Sequence, residues 1–335
     1  MKLETRTIYQ FDTAGFTPWP IPPQSRKISL DACSTMPFLR LQDITRNLGF
    51  FDWSRTNLTS SPIARGPFPI SCGVALDHLV IAGRHYGIEV EVSPDSNDAD
   101  LLARCRIAND IAPTATDNAL FKAIPYRRTT RTKFEKRELS EDVSDRCIEF
   151  AKQFGVELKL ITDSAKRREI AELVAEGDRI QFADPRLRRE LASWIHSRRG
   201  SSHDGMSGEG FGMPDALSSI GALVIRTFDL GNGVAASDQE KIVEGSPTVA
   251  VFSSPSDTIP HWLATGQALS RVLLTLTDAG ATASYLNPPV ELEQLRTQLR
   301  EVVGCKGTPQ LLMRFGYGPS VASTVRREVD EVLIS

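Results

Sequence analysis

Apolar and polar positions along the chain divide it into a weakly patterned first segment and a strongly patterned remainder. From Ser71 to Gly87 the apolar residues at 75, 76, 79, 80 and 82 lie on one helical face, and Gly87 ends the stripe, which predicts a buried helix. Ile88-Glu-Val-Glu-Val92 then alternates with period two, the pattern of a strand covered on one side. Asn97, a candidate N-cap, opens a segment to Arg106 that reads as a second helix. The same order returns downstream, where 261–280 is an apolar-striped helix ending in glycine, 281–286 can be extended and 289–303 is an amphipathic helix.

Sliding the first unit onto the second with a constant offset of 193 places Gly73, Ala75, Leu76, Gly87 and Leu102 on Gly266, Ala268, Leu269, Gly280 and Leu295 without a gap. These are packing and capping residues, where two copies of one structural unit resemble each other most. Two related halves are expected; the competing explanation is the chance alignment of helices rich in Ala, Leu and Gly. Between the halves, Val156-Glu-Leu-Lys-Leu-Ile161 reads as a strand, and 165–180 and 186–198 as helices. Residues 200–214 carry five glycines in fifteen positions and suit a surface loop or lid. Thr248-Val-Ala-Val-Phe252 and Pro309-Gln-Leu-Leu-Met-Arg-Phe315 read as buried strands, so the fold class is α+β. Residues 1–70, with prolines at 18, 20, 22 and 23, read as long irregular structure.

A chain of 335 residues that is 41% apolar can bury one large core or two moderate ones. Its formal charge of −3 gives no overall attraction to nucleic acid or to an anionic membrane, so any anion site must be local. The five cysteines are scattered without a C-x-x-C pair, which fits a reducing compartment and neither a disulfide framework nor a zinc ribbon. Residues 1–15 contain no apolar signal-peptide core, and the longest apolar runs fall far short of the ~20 residues that span a bilayer. A cytoplasmic protein without a membrane span is expected. The histidines fit no metal-ligand spacing, no G-x-S-x-G or S-x-x-K element supports hydrolase chemistry, and Gly208-Glu-Gly-Phe-Gly212 lacks the strand and third glycine of a dinucleotide fingerprint.

Positive charge concentrates between Lys122 and Arg137, where seven basic residues are opposed by Glu135 alone. Within it, Arg127-Arg128-Thr129-Thr130-Arg131 combines guanidinium forks, which bind phosphate oxygens bidentately, with hydroxyls that donate to the same oxygens. A terminal phosphate suits this group. A solvated basic face is the alternative, and scarce aromatics argue against a nucleic-acid patch.

The run from Arg127 through Thr129 and Arg131 to Phe134 resembles the R-R-[ST]-x-R-x-x-F element of the flavin-dependent nitroreductase family, which grips the FMN phosphate. Ser254-Pro-Ser-Asp-Thr258, Trp262, Gly266-Gln-Ala-Leu269, Leu286-Asn-Pro-Pro-Val290 and Arg314-Phe-Gly-Tyr-Gly-Pro-Ser320 resemble the second half of its Acg-type branch, as does Arg326-Arg327 with Val329-Asp-Glu-Val-Leu333. The resemblance covers about residues 71 to 333. It implies a nitroreductase-like α+β fold with two related halves in one chain that mimic the family's dimer, here 1–120 and 121–335. It also implies FMN as cofactor, with Arg127, Arg128, Thr129 and Arg131 on its phosphate, Arg326 or Arg327 joining them, and Ser284, Tyr285, Leu286 and Asn287 near the flavin ring. The chain departs from the family at the P-S-x-x-N-x-Q-P-W element, of which only Thr17-Pro-Trp19 remains.

The function implied is transfer of hydride from NAD(P)H through FMN to a nitroaromatic, quinone or similar acceptor, with no catalytic side chain and no metal. A protein that binds or sequesters flavin without turnover is the alternative, and a phosphate-binding interaction module without flavin a third. The expected partners are NAD(P)H and a small-molecule acceptor, with neither nucleic acid nor membrane, in a pseudo-dimeric monomer or a homodimer.

Overall fold

A computed structural model describes residues 27–31, 67–94, 101–195, 197 and 217–321. They fall into two compact units. The first contains a sheet of β1 (Lys27–Asp31), β2 (Ile88–Pro94) and β3 (Leu101–Asp110) in the order β1-β3-β2, with β1 parallel and β2 antiparallel to β3. It also holds most of helix α1 (Pro67–His85), from Ala75 onward, and α2 (Ala115–Ala123), whose first turn is closed by a Thr114/Asp117 capping box.

The helix expected over 97–106 is corrected here, because Leu101–Asp110 is a strand. Ala103 and Cys105 are buried while Arg104 and Arg106 are exposed, a period of two that pairs this segment with β2 and sets Arg106 opposite Glu91. The first unit therefore runs helix, strand, strand where helix, strand, helix was expected. The helix and its glycine stop stand as read: α1 ends before Gly87 at φ +80°, a left-handed conformation that costs a side-chain-bearing residue about 1 kcal/mol or more.

The second unit is built on an antiparallel sheet of β4 (Glu157–Ile161), β5 (Thr248–Ser254), β6 (Thr282–Tyr285) and β7 (Thr308–Gly316), in the order β4-β5-β7-β6. The unit's helices are α3 (Glu141–Gln153), α4 (Ser164–Ala183), α5 (Pro185–Ser193), α6 (Ser218–Thr227), α7 (Gly231–Val243), α8 (Ile259–Asp278), α9 (Pro288–Glu291) and α10 (Glu293–Val303), of which α3, α4, α7, α8, α9 and α10 cover the two faces of the sheet. Alternation along β5 sends Ala250 and Phe252 into a core with α3 and α8, and Val249 and Val251 into a second core with α4 and α10. Burial on both faces explains why β5 and most of β7 read as continuous apolar runs.

The first turns of α1, through Val74, belong to this second unit and cross α8 at two glycines. A Cβ on Gly73 would overlap the Leu263 carbonyl oxygen and stand 2.9 Å from Gly266 Cα; one on Gly266 would overlap the Ile70 carbonyl oxygen and stand 2.8 Å from Gly73 Cα. The contact is reciprocal, and both 70 and 263 and 73 and 266 are 193 positions apart. Beyond this crossing, α8 runs to Gly280, at φ +71°, which turns the chain into β6.

The loop before α8 is fixed by a polar network. Asp257 accepts two bonds from Arg296 on α10, each 2.8 Å, and one of 2.8 Å from Gln310 on β7, while Arg296 Nε donates to the Pro309 carbonyl. Burial alone would raise the Asp257 carboxyl, but donation from Arg296, Gln310 and Trp262 holds it below the usual carboxylate range. Residues 200–214 and most of 1–70 lie outside the described residues.

Candidate functional site

Strand β6 ends the sheet, so one row of its backbone groups would otherwise lie open. The basic segment covers that row. Thr129 forms a parallel bridge with Ala283, and the Thr130 N–H donates to the Ala283 carbonyl at 3.1 Å. The Thr130 and Thr282 hydroxyls meet at 2.9 Å, and Thr282 also donates to the Arg128 carbonyl at 3.4 Å. Two threonines at this junction suit an extended, half-covered ladder. Local pairing with β6 thus brings Arg127, Arg128, Thr129 and Arg131 beside Ser284 and Tyr285.

The charges in this group press on one another. Arg128 Nη1 donates to the Arg127 carbonyl at 2.8 Å, and burial followed by the like charge of Arg127 lowers the Arg128 guanidinium from its ordinary value. Burial lowers Arg131 as well, against the stabilising influence of Tyr285 and Asp238. Tyr285 keeps 39% of its surface exposed; burial of its hydroxyl end raises the phenol, and Arg127 and Arg131 oppose the rise. Lys133 is already neutralised, at 2.6 Å from Glu240 and 3.6 Å from Glu244. Arg127, Arg128 and Arg131 bring three guanidinium groups onto one short segment, a donor set suited to an anion.

Ser284 is buried in register with Arg314 of β7. Leu286 and Asn287 serve the sheet: the Leu286 N–H donates to the Leu312 carbonyl, the Asn287 side-chain oxygen accepts from the Leu312 N–H, and the Asn287 carbonyl accepts from Val290 and Glu291 to start α9. These groups are committed to the turn out of β6. Arg326 and Arg327 lie outside the described residues.

Reading the sequence for chemistry passes over Arg314. It is 1% exposed, and it donates from Nη2 to the carbonyls of Thr130 at 3.3 Å and Thr132 at 2.8 Å, and from Nη1 to the Ser246 hydroxyl at 3.4 Å. Its guanidinium carbon stands 4.1 Å from the centre of the Phe134 ring. Burial pushes it down to about 10. The available signal was a lone charge inside the apolar run Leu311-Leu-Met-Arg-Phe315. Two acids also went unnoticed: Asp178 on α4, 3% exposed with one carboxyl oxygen lacking a hydrogen-bond partner, and Glu291, bound at 2.7 Å by Gln181. Burial, reinforced by Asp238, pushes Asp178 up to about 8, and burial pushes Glu291 up to about 7 against the Gln181 bond. Among the described residues no group of three or more His, Cys, Asp or Glu could hold a metal ion, and no helix is long and apolar enough to cross a membrane.

No family model matches the chain. Over 279 residues it is 30% identical to Rv3131 of Mycobacterium tuberculosis H37Rv, which carries the name of an NAD(P)H nitroreductase; the match covers 79% of this chain and 76% of that protein. The chain belongs to the nitroreductase family. Within the family it is similar to Acg of the same organism, at 27% identity over 272 residues, covering 78% of this chain and 79% of Acg, which agrees with the Acg-type resemblance. Solved nitroreductase structures also align. The FMN-dependent NfnB of Mycobacterium smegmatis, in complex with NADPH, shares 16% identity over 64% of this chain and 96% of its own, with a TM-score of 0.41. For the FMN- and NADPH-dependent NfnB of Sphigopyxis sp. strain HMH the values are 17%, 64%, 98% and 0.44.

Proposed function

We propose that this nitroreductase-family chain binds FMN and transfers hydride from NAD(P)H to a nitroaromatic, quinone or similar small acceptor. The observation that supports the reading is the docking of the arginine segment on β6, which brings guanidinium and hydroxyl donors suited to a phosphate near Ser284 and Tyr285. The donor chemistry fits a phosphate monoester, since guanidinium forks and hydroxyls all donate. In this reading Arg127, Arg128, Arg131 and the Thr129 hydroxyl hold the phosphate, with Arg326 or Arg327 as a further contact. Ser284 and Tyr285 border the ring, and Leu286 and Asn287 hold the turn that positions them. FMN, when bound, supplies the hydride-accepting chemistry, so no side chain of the chain is assigned as catalytic. The shared spacing of 193 positions between Gly73 and Gly266, and between Ile70 and Leu263, supports two related halves, 1–120 and 121–335. The composition supports a cytoplasmic setting.

A flavin-holding protein without turnover is the second reading, favoured by the reduction of the family's first-half element to Thr17-Pro-Trp19. An absorbance spectrum of the purified protein after addition of FMN and desalting tests binding, and NAD(P)H oxidation then separates the two readings. Flavin bands should persist, and replacing Arg128 and Arg131 together by Ala should weaken FMN retention by about 3 kcal/mol or more, two charge-assisted bonds being lost. Unchanged flavin content in that double variant would overturn the phosphate assignment.

A further inference from the structure

Strand β7 places apolar residues at 311, 312, 313 and 315 in the two cores, and Arg314 interrupts them on the face of the sheet that Leu312 shares. A buried guanidinium is expensive unless it is paired. No carboxylate among the described residues touches Arg314; Asp238 on α7 acts on it only through space, and Nε has no hydrogen-bond partner. Its bonds run to two carbonyls of the segment between Arg128 and Lys133 and to one hydroxyl. An apolar residue would fill this place in the sheet at lower cost, so the reason for the arginine lies in the backbone it grips.

We propose that Arg314 is a positioning residue, holding the Thr130–Thr132 backbone so that Arg128 and Arg131 meet the phosphate of FMN together. The proposal rests on the phosphate reading given above. From the β6 side, Thr130 is fixed by its bonds to Ala283 and Thr282; from the β7 side, Arg314 holds the carbonyls of 130 and 132. Held from both sides, the segment is set before ligand arrives, and its arginines need not be ordered at the moment of binding. The charge of Arg314 adds to the potential that an anion meets, while its Nη donors stay occupied by the Thr130 and Thr132 carbonyls and the Ser246 hydroxyl.

Full-length Arg314→Met and Arg314→Lys variants test this through three measurements: dissociation constants for FMN and for riboflavin, which lacks the phosphate, amide exchange at Thr130 without ligand, and the thermal midpoint. In the Met variant the preference for FMN over riboflavin should fall about tenfold or more, as expected when charge-assisted bonds lose their alignment. Riboflavin affinity should be unchanged and the Thr130 amide should exchange faster. The thermal midpoint should change little, because removal of the unpaired buried charge is offset by the lost bonds to the Thr130 and Thr132 carbonyls. Lys keeps the charge but lacks the planar fork that spans two carbonyls, so its preference should lie between wild type and Met. Should Met fail to fold, the Lys comparison stands in its place. A Met variant that keeps its FMN preference, whatever its exchange or midpoint, overturns the positioning role. A wild-type protein that does not distinguish FMN from riboflavin overturns the phosphate reading, and this proposal falls with it.

Discussion

Replacing Gly266 by Ala should destabilise the protein, against the usual direction for a glycine within a helix. At an exposed helical position the change gains about 1 kcal/mol, because Ala loses less backbone freedom on folding. Here the new methyl would overlap the Ile70 carbonyl oxygen and lie 2.8 Å from Gly73 Cα, and both neighbours are backbone. Neither can rotate away, so α1 and α8 must part. A radial gap of about 0.5 to 1 Å forfeits a quarter to a half of each dispersion contact along the seam, where Ile70, Trp262 and Leu269 are packed. Overpacking of this kind typically costs about 1 to 3 kcal/mol; with backbone on both sides the upper end is expected, leaving a net loss of about 2 kcal/mol after the helix gain. Urea unfolding reads it as a lower midpoint at constant slope. Since the contact is reciprocal, Gly73→Ala should lose about the same amount, and the double variant should lose less than the sum, with a coupling of about 1 kcal/mol or more. Gly233→Ala on α7, where nothing lies within 4 Å of the added methyl, is the control and should be neutral or stabilising. A stabilised Gly266→Ala would refute the close crossing, and additive single losses would refute its reciprocity.

Other perturbations follow from the buried charges. Asp178 has its folded carboxyl raised from 3.8 to about 8, so it stays protonated in the fold while the unfolded chain ionises; its contribution is full below about pH 4 and is lost as pH rises toward 8. Asp178→Asn should therefore flatten the decline in stability over that window in thermal scans, and an unaltered pH profile would contradict the burial argument. Asp257 is the opposite case: its folded carboxyl is lowered, so its contribution is present above about pH 4 and is lost as pH falls through the folded value, an acid dependence that Asp257→Asn should remove. Arg296→Met leaves Asp257 with Gln310 and Trp262 alone and should lower stability by about 2 to 4 kcal/mol at neutral pH, with a smaller loss below pH 4.

What could be read from the sequence follows from how strongly each segment's pattern determines its structure. Strands β5 and β7 were legible because burial on both faces leaves an apolar run too short for a helix, and α1 and α8 because each carries a broad apolar stripe closed by glycine. Leu101–Asp110 was misread because Asn97 offered a cap, whereas Ala103-Arg-Cys-Arg-Ile107 alternates; pairing with β2 decided between them. Helices α6 and α7 were not read at all, since neither opens with a side-chain cap. At the candidate site the arginines stood out as local charge, but their partner strand, 152 residues away at Thr282, was reached only through family resemblance. The Ser254–Thr258 run, noticed for the same resemblance, proves to anchor the start of α8 through Asp257.

The strip of chain that carries the arginines also closes one border of the four-stranded sheet. A strand arriving from another molecule would find the outer carbonyl of Ala283 already taken by the Thr130 N–H and the Thr282 hydroxyl occupied by Thr130 and Arg128, and at the opposite border it would meet Glu157 and Lys159. Growth of this sheet into an intermolecular assembly is thus barred by the residues that gather the positive charge. Loosening them to alter ligand preference would uncover an adhesive edge, so in this protein colloidal behaviour and ligand recognition would change together under mutation.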